Sequence, residues 1–227
     1  DDIRRYESHY RGRFLIYCYH GIDLSDCHSI LAHLSEYRNL PPRNGKKRGL
    51  DHRATNQEWW ELQQPQRAYE ALFTNPKILY PDIGKESRFF LDNSGLYPET
   101  TGFVVGTGDW FTLAVLNSSI AWAFLGEVCQ ALGDKDEGGR LRLKSQYIEQ
   151  LPIPDASAED RKLVGDLAQQ AQILHRQRRM RCEQFLRDLG LNPADSNSRN
   201  PLEQPWSLAA DDYVKRDEGT GCLKVTP

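Results

Sequence analysis

The chain has few cysteines, and they follow no recognisable motif. Five are scattered along its 227 residues and none belongs to a CxxC pair: Cys18, Cys27, Cys129, Cys182 and Cys222. This odd number at irregular spacing argues against a disulfide framework and a zinc site, and it suits a reducing cytoplasm. The six histidines and the scattered carboxylates likewise show neither metal-ligand spacing nor a Ser/His/Asp arrangement.

Long uninterrupted hydrophobic runs are also missing. The most apolar stretch, residues 110–132, is broken by Asn117, Ser118, Ser119 and Glu127. Placing that polar cluster in lipid would be costly, so we predict a buried helix pair here and no membrane as a partner. No signal peptide is visible and the chain starts without an initiator methionine, so we expect an excised fragment.

Neither sign of charge dominates the composition. The net charge is -3, the isoelectric point is near 6.1, the mean hydropathy is -0.67 and 27% of residues are charged. A chain of this length buries about 70% of its unfolded surface, so these values fit a soluble globular protein with one domain, or a core domain with appendages. The balance gives no global signal for a polyanionic partner.

Positive charge is nevertheless concentrated locally. Residues 43–53 (RNGKKRGLDHR) contain five Lys or Arg against one Asp, and residues 176–181 read RQRRMR. A basic loop is most often simply solvated. Nucleic-acid recognition, however, needs positive charge at the phosphates rather than a high overall isoelectric point. The first segment therefore remains a candidate DNA contact.

The hydrophobic pattern predicts short strands mixed with helices. Apolar runs between turn residues indicate strands at residues 13–19, 77–80, 88–91, 102–105 and 141–143. Helical spacing predicts helices at 23–39 and 65–73, the first ended by Leu40-Pro41-Pro42 and followed by the basic segment as a loop. Asp109 is expected to cap an apolar helix pair. Three of its residues should hold the scaffold: Leu113, Leu116 and Trp122.

The chain changes character at residues 151–154 (LPIP). Two prolines two positions apart cannot lie within a helix or a central strand, so this segment is an extended boundary. Ser157 and Asp160 form a capping-box pattern that opens a helix running to about Leu189, where Gly190 ends it. We predict one apolar seam along this helix: Leu163, Leu167, Ala171, Leu174, Phe185 and Leu189.

Three short motifs are similar to catalytic ones but are incomplete. Asn75-Pro76-Lys77-Ile78 lacks the second proline and the aromatic residue of the NPP-aromatic tetrapeptide of adenine-N6 methyltransferases. Gly106-Thr107-Gly108 is a lone GxG, which favours a tight strand-to-helix turn over a cofactor loop. Pro81-Asp82 is not followed by the Glu-x-Lys of a PD-ExK nuclease. The sequence therefore contains no persuasive active site.

Several polar side chains could read DNA bases. Gln63 and Gln64 could contact adenine edges, although glutamines on a turn are more often merely solvated. Residues 85–88 (KESR) lie between two predicted strands, where the arginine could read guanine and the glutamate cytosine. A surface ion pair explains these charges equally well. Trp59 and Trp60 are either both core residues, or one of them faces a nucleic-acid backbone.

The order of motifs along residues 1–154 is more specific than any one of them. It includes DDIRRY at 1–6, GID at 21–23, LNS at 116–118 and YIEQLPIP at 147–154. Together they resemble the TaqI-like C-terminal specificity domain, which is the target-recognition part of adenine-N6 DNA methyltransferases and of fused type IIG restriction–modification enzymes.

The resemblance implies an α+β fold of short twisted strands and helices, followed by a long spacer-like helix. The polar composition of residues 191–227, with Pro, Gly and Ser, predicts an irregular tail after it. Together they divide the chain into a DNA target-recognition domain at 1–154, the helix at 155–190 and a polar tail at 191–227. We expect Trp206 and Tyr213 to pin down the tail.

The implied function is sequence-specific recognition of double-stranded DNA for a methyltransferase domain N-terminal to this chain. S-adenosylmethionine would serve the parent protein, with no cofactor, metal or catalytic residue in this fragment. The expected DNA contacts are Lys46, Lys47, Arg48, Arg53, Gln63, Gln64, Lys85, Glu86, Ser87 and Arg88. The alternative is a protein-interaction module that uses the long C-terminal helix.

Overall fold

The computed structural model describes residues 3–9, 12–52, 56–133 and 139–193. Arg53, Trp206, Tyr213 and Cys222 lie outside these residues. The strands are β1 (Ile3–Arg4), β2 (Glu7–Ser8), β3 (Leu40–Arg43), β4 (Lys46–Arg48), β5 (Lys77–Pro81), β6 (Ile83–Gly84), β7 (Phe90–Asp92), β8 (Gly102–Val105), β9 (Gln130–Leu132) and β10 (Arg140–Arg142). The helices are α1 (His28–Ser35), α2 (Glu70–Thr74), α3 (Trp110–Leu116), α4 (Ser119–Val128), α5 (Ser145–Ile148) and α6 (Ala158–Asp188). The predicted α+β class is confirmed.

A three-stranded antiparallel sheet of order β7-β5-β8 lies at the centre of the fold. β5 is buried at its first four positions, as expected for a middle strand covered on both faces. Its Ile78 and Tyr80 pack with Phe89, Leu113 and other apolar side chains in the main hydrophobic core. The predicted strands at 77–80 and 102–105 are confirmed, whereas the strand predicted at 88–91 begins two residues later.

A second antiparallel sheet has the order β6-β10-β9. β10 matches the strand predicted at 141–143 to within one residue. β9 was missed because its residues end the apolar stretch at 110–132, which was interpreted as entirely helical.

The predicted apolar helix pair forms from α3 and α4. The Asp109 carboxylate caps α3 by accepting hydrogen bonds from the N–H groups of Phe111 and Thr112, and the Ser118 hydroxyl caps α4. Leu113 and Leu116 are buried and Trp122 packs half-buried against the core, as predicted. No single described helix is long and apolar enough to span a membrane. The α3–α4 pair meets that criterion jointly but bends by 60°.

The long helix α6 forms as predicted, with the Ser157 hydroxyl accepting from the Asp160 N–H. The predicted seam is only partly right: Leu163, Leu167 and Leu174 remain more than half exposed, whereas Ala171, Phe185 and Leu189 are half-buried. The buried residues of α6 are Gly165, Ala168, Cys182 and Leu186. α6 packs mainly on α3, and a Cβ at Gly165 would already lie 3.4 Å from the Cβ of Trp110. So close an approach favours small side chains over leucine.

Of the two elements predicted in the first forty residues, one does not form and the other is shorter than predicted. The segment 13–19 forms no strand, and Phe14 is 89% exposed. A strand requires a neighbouring strand to pair with, and this segment instead uses the Cys18 carbonyl to accept from the Leu62 N–H at 2.7 Å. The helix predicted at 23–39 shortens to α1, which is two turns long.

Candidate nucleic-acid interface

The basic segment forms a β-hairpin, which corrects the prediction of a loop. β3 pairs with β4 in antiparallel register, with Arg43 opposite Lys46. Asn44 and Gly45 form the two-residue turn with φ angles of 52° and 71°. Positive φ at both positions is the geometry that Asn-Gly favours, so this dipeptide was the signal for a hairpin. Pro41 and Pro42 obscured it, because proline is rare in strands other than edge strands.

The hairpin carries only positive charge on its strands and turn. Arg43, Lys46, Lys47 and Arg48 are all exposed, and residues 40–48 include no acidic side chain. Within the described residues, none of these four cations forms an ion pair. Four like charges on nine residues repel one another, and a polyanion would relieve that repulsion.

The base of the hairpin is attached firmly to the rest of the fold. Arg38 Nε lies 2.8 Å from Asp51 Oδ2, and its guanidinium lies 4.8 Å from the ring centroid of Trp59. The Leu50 N–H donates to the Tyr37 carbonyl at 3.0 Å. Arg38 and Asp51 thus position the basic strands, a role for which the sequence showed no local signal.

The segment that carries the two predicted glutamines adjoins the hairpin base through Trp59. Trp59 and Trp60 are both half-buried, in an edge-to-face contact with ring centroids 5.4 Å apart. The buried Glu61 accepts hydrogen bonds from the Gly21 and Glu58 N–H groups. Gln63 and Gln64 follow and are exposed, so they are available to a ligand.

The predicted contacts at 85–88 lie on another part of the fold, just before the edge strand β7. Lys85 and Glu86 are exposed, and Arg88 Nε lies 3.1 Å from Glu86 Oε1. Ser87 is fully buried, which removes it from any DNA-contacting surface and corrects its assignment. Glu86 and Arg88 are not on a regular strand, but their ion pair places their charged groups side by side.

Two amide side chains hold β7 and the segment before it in place. Asn117, the middle residue of the LNS motif, accepts from the Phe89 N–H at 3.1 Å and donates to the Phe89 carbonyl at 2.9 Å. Gln172 of α6 makes the same pair of bonds with Leu91, at 3.1 and 2.8 Å. β7 is an edge strand, so these amides satisfy backbone groups that no further strand bonds.

The remaining motifs have structural roles. Lys77 lies fully buried, with its Nζ 2.6 Å from Asp92 Oδ2 and 2.8 Å from the Phe73 carbonyl. Burial alone would raise the pKa of Asp92, but hydrogen bonds from Lys77, Ser94 and Leu96 outweigh it and hold that pKa below its usual range. Gly108 meets Pro76 so closely that a Cβ would lie 2.7 Å from the proline Cβ, which explains the glycine in this strand-to-helix turn.

The chain belongs to the TaqI-like C-terminal specificity domain family, whose model matches residues 1–153. It is 28% identical over 137 residues to the type II methyltransferase M.XhoI of Xanthomonas vasicola, covering 59% of this chain and 23% of that protein. It is 32% identical over 108 residues to the type II methyltransferase M.PaeR7I of Pseudomonas aeruginosa, covering 46% of this chain and 18% of that protein.

A third relative is the type II methyltransferase M.BstVI of Geobacillus stearothermophilus, 27% identical over 92 residues, which cover 39% of this chain and 16% of that protein. The chain thus spans at most about a quarter of the length of these relatives. It is similar to the specificity portion of restriction–modification methyltransferases. Among the described residues, no group of three or more His, Cys, Asp or Glu could hold a metal ion.

Proposed function

We propose that this chain selects a specific double-stranded DNA sequence and presents it to an adenine-N6 methyltransferase domain of the same parent protein. The observation that carries the proposal is an exposed hairpin whose charged residues are all basic, on a chain of the specificity-domain family. S-adenosylmethionine would be the methyl donor for the parent protein, and the target adenine would leave the duplex to reach it. A cytoplasmic location, a fused endonuclease of the type IIG kind and a domain boundary near Pro154 belong to the same proposal.

Within this function, some side chains contact phosphates and others contact bases. Lys46, Lys47 and Arg48 supply phosphate contacts, which set the position of the protein on the duplex without reading sequence. Gln63, Gln64 and Lys85 are exposed polar groups within reach of a ligand. Glu86 and Arg88 are the candidate pair for one G·C base pair. Their exposed ion pair is worth less than about 1 kcal/mol, so exchanging it for base contacts costs little.

Electrostatic binding is tested by titrating salt. We expect the chain to bind duplex DNA with an affinity that falls linearly on a log–log plot against salt concentration, with a slope near -0.9 for each phosphate contact. Binding that shows no salt dependence would contradict the proposal. Calorimetry with S-adenosylmethionine provides a second check, because the chain by itself should give no micromolar binding isotherm.

Base readout is tested in the parent enzyme. Exchanging Glu86 and Arg88 together for another polar pair should change the methylated sequence at one position and leave folding intact. Sequencing of methylated genomic DNA from expressing cells measures this change. If activity persists with an unaltered recognition site, these two residues are not readers. Lys85→Ala is the matched control, because loss of one surface cation should weaken binding without altering the site.

A protein-interaction module is the second candidate, and one observation favours it. The outer face of α6 leaves Leu163, Leu167 and Leu174 exposed in a stripe at helical spacing. Such a face would take an apolar helix of a partner protein. This contact would persist at high salt, whereas DNA binding should not.

A further inference from the structure

We propose that the hairpin of residues 40–48 is a two-stranded ribbon that enters the major groove and reads bases with its turn. This inference rests on the proposed function. It goes beyond a phosphate grip, because it gives Arg43 and Asn44 base-reading roles. Neither residue was among the contacts expected from the sequence.

The first support is shape. Antiparallel strands lie about 4.8 Å apart, and four residues of strand extend roughly 13 Å. The major groove of B-DNA is about 12 Å wide and admits a two-stranded ribbon. Residues 41–48 are exposed throughout, so both faces of the ribbon are open to a groove.

The second support is that nothing in the described part of the chain covers the ribbon. A two-stranded hairpin is at best marginally stable in water unless a face is packed. Here the bond pattern at its base, through Arg38 and Asp51, supplies the attachment instead. Gly49 allows the chain to pass close to Arg38 at this base, because at its φ of 114° a Cβ would lie 2.3 Å from the Arg38 carbonyl oxygen. A ribbon fixed at one end and open at the other suits insertion into a partner.

The third support is the chemistry of the turn. Arg43 and Lys46 face one another across the last strand pair, immediately before and after Asn44 and Gly45. The Asn44 amide makes no hydrogen bond within the described residues. A free amide can bond adenine N6 and N7 together, and an arginine fork can bond guanine O6 and N7. The turn therefore suits an A·T pair next to a G·C pair.

Alternation along β4 separates the cations into two sets. Lys46 and Arg48 share a face, and Lys47 lies on the other. Arg43, opposite Lys46, belongs to the first face. Of the three cations of β4 assigned to phosphates, Lys47 is thus the one that lies on the face away from Arg43, so its loss should disturb base reading by the turn least. It serves as the control residue of the ribbon.

The test is selection of bound duplexes from a random pool by the full 227-residue chain, followed by sequencing. Asn44→Gly keeps the turn, since glycine also accepts a positive φ, but removes the amide. It should relax the preference at one base pair by roughly 5- to 150-fold. Arg43→Lys keeps the charge but loses the fork, and should relax a neighbouring G·C preference. Lys47→Ala should weaken binding to all duplexes and leave the selected sequence unchanged.

The groove is tested with 7-deazaadenine, which lacks the N7 acceptor of the major groove. Placed at the adenine of the selected site, it should weaken the wild-type chain and leave Asn44→Gly unaffected. If Asn44→Gly and Arg43→Lys select the wild-type sequence, the ribbon does not read bases and the inference is overturned while the proposed function stands. If the wild-type chain selects no sequence, the proposed function itself fails.

Discussion

Removing the Asp92 carboxylate should destabilise this domain more than almost any surface change. Asp92 is fully buried and accepts four hydrogen bonds, from Lys77 Nζ at 2.6 Å, the Ser94 hydroxyl at 2.6 Å, the Ser94 N–H at 2.9 Å and the Leu96 N–H at 2.8 Å. The Asp92→Ala variant leaves the Lys77 ammonium buried with the Phe73 carbonyl as its remaining described partner.

The magnitude follows from the cost of an unpaired buried charge. Breaking a buried ion pair by removing one partner typically costs about 3–5 kcal/mol. Domains of this size are stable by only about 5–15 kcal/mol, so Asp92→Ala should consume a large part of that margin. At roughly 2–4 °C per kcal/mol, the melting temperature should fall by about 6–20 °C. Glu99→Ala, at an exposed carboxylate close by in sequence, should stay within about 0.5 kcal/mol of wild type.

A double-mutant cycle separates the buried charge from the lost hydrogen bonds. Methionine has nearly the length of lysine but no charge, so Lys77→Met introduced into Asp92→Ala should restore part of the lost stability. Urea unfolding of wild type, both single variants and the double variant measures the coupling. If Lys77→Met destabilises the Asp92→Ala background further, the unpaired ammonium is not the source of the cost, and the reasoning is refuted.

The pH dependence provides an independent check on the same carboxylate. Because the pKa of Asp92 is lower in the folded than in the unfolded state, its contribution is complete above the unfolded pKa of about 4 and is lost as the pH falls through the folded pKa. The stability difference between wild type and Asp92→Asn should therefore be constant from about pH 5 to pH 8 and shrink below about pH 4. A difference that grows in acid would contradict this assignment.

Three further predictions concern other parts of the fold. Gln172→Ala should lower the free energy of unfolding by about 1–3 kcal/mol, because it leaves the Leu91 N–H and carbonyl without their hydrogen-bond partner. Gln170→Ala, on the exposed face of the same helix, should leave the free energy of unfolding unchanged, and chemical denaturation compares the two variants. The triple variant Lys46→Ala/Lys47→Ala/Arg48→Ala should weaken DNA binding about equally for all sequences. The slope of log affinity against log salt concentration should fall in magnitude by roughly one unit per lost contact. An unchanged slope would show that these cations are merely solvated. Burial raises the pKa of the Cys129 thiol to about 11, so a thiol reagent at neutral pH should modify the half-buried Cys27 before the buried Cys129, and mass spectrometry of partly labelled protein measures the order.

Local signals in the sequence determined the elements whose causes are local. Asp109 and Ser157 start helices as predicted, because a cap bonds N–H groups only two or three residues away. The apolar run at 77–80 predicted a buried strand, which β5 forms. The Asn-Gly turn of the hairpin is also a local signal, although the prolines before it concealed the strand.

Tertiary structure alone decided which faces are buried and which polar groups are paired. Asn117 and Gln172 form hydrogen bonds with backbone groups 28 and 81 residues away in sequence. No local sequence pattern predicts such distant partners. Ser87 resembles a surface residue in sequence, yet it is fully buried in the fold. On α6, Gly165 and Ala168 are buried whereas Leu163 and Leu167 are exposed, because α3 approaches Gly165 too closely to leave room for a leucine there. Hydrophobicity predicts that a helix buries a face, whereas the shape of the neighbouring surface determines which face it is.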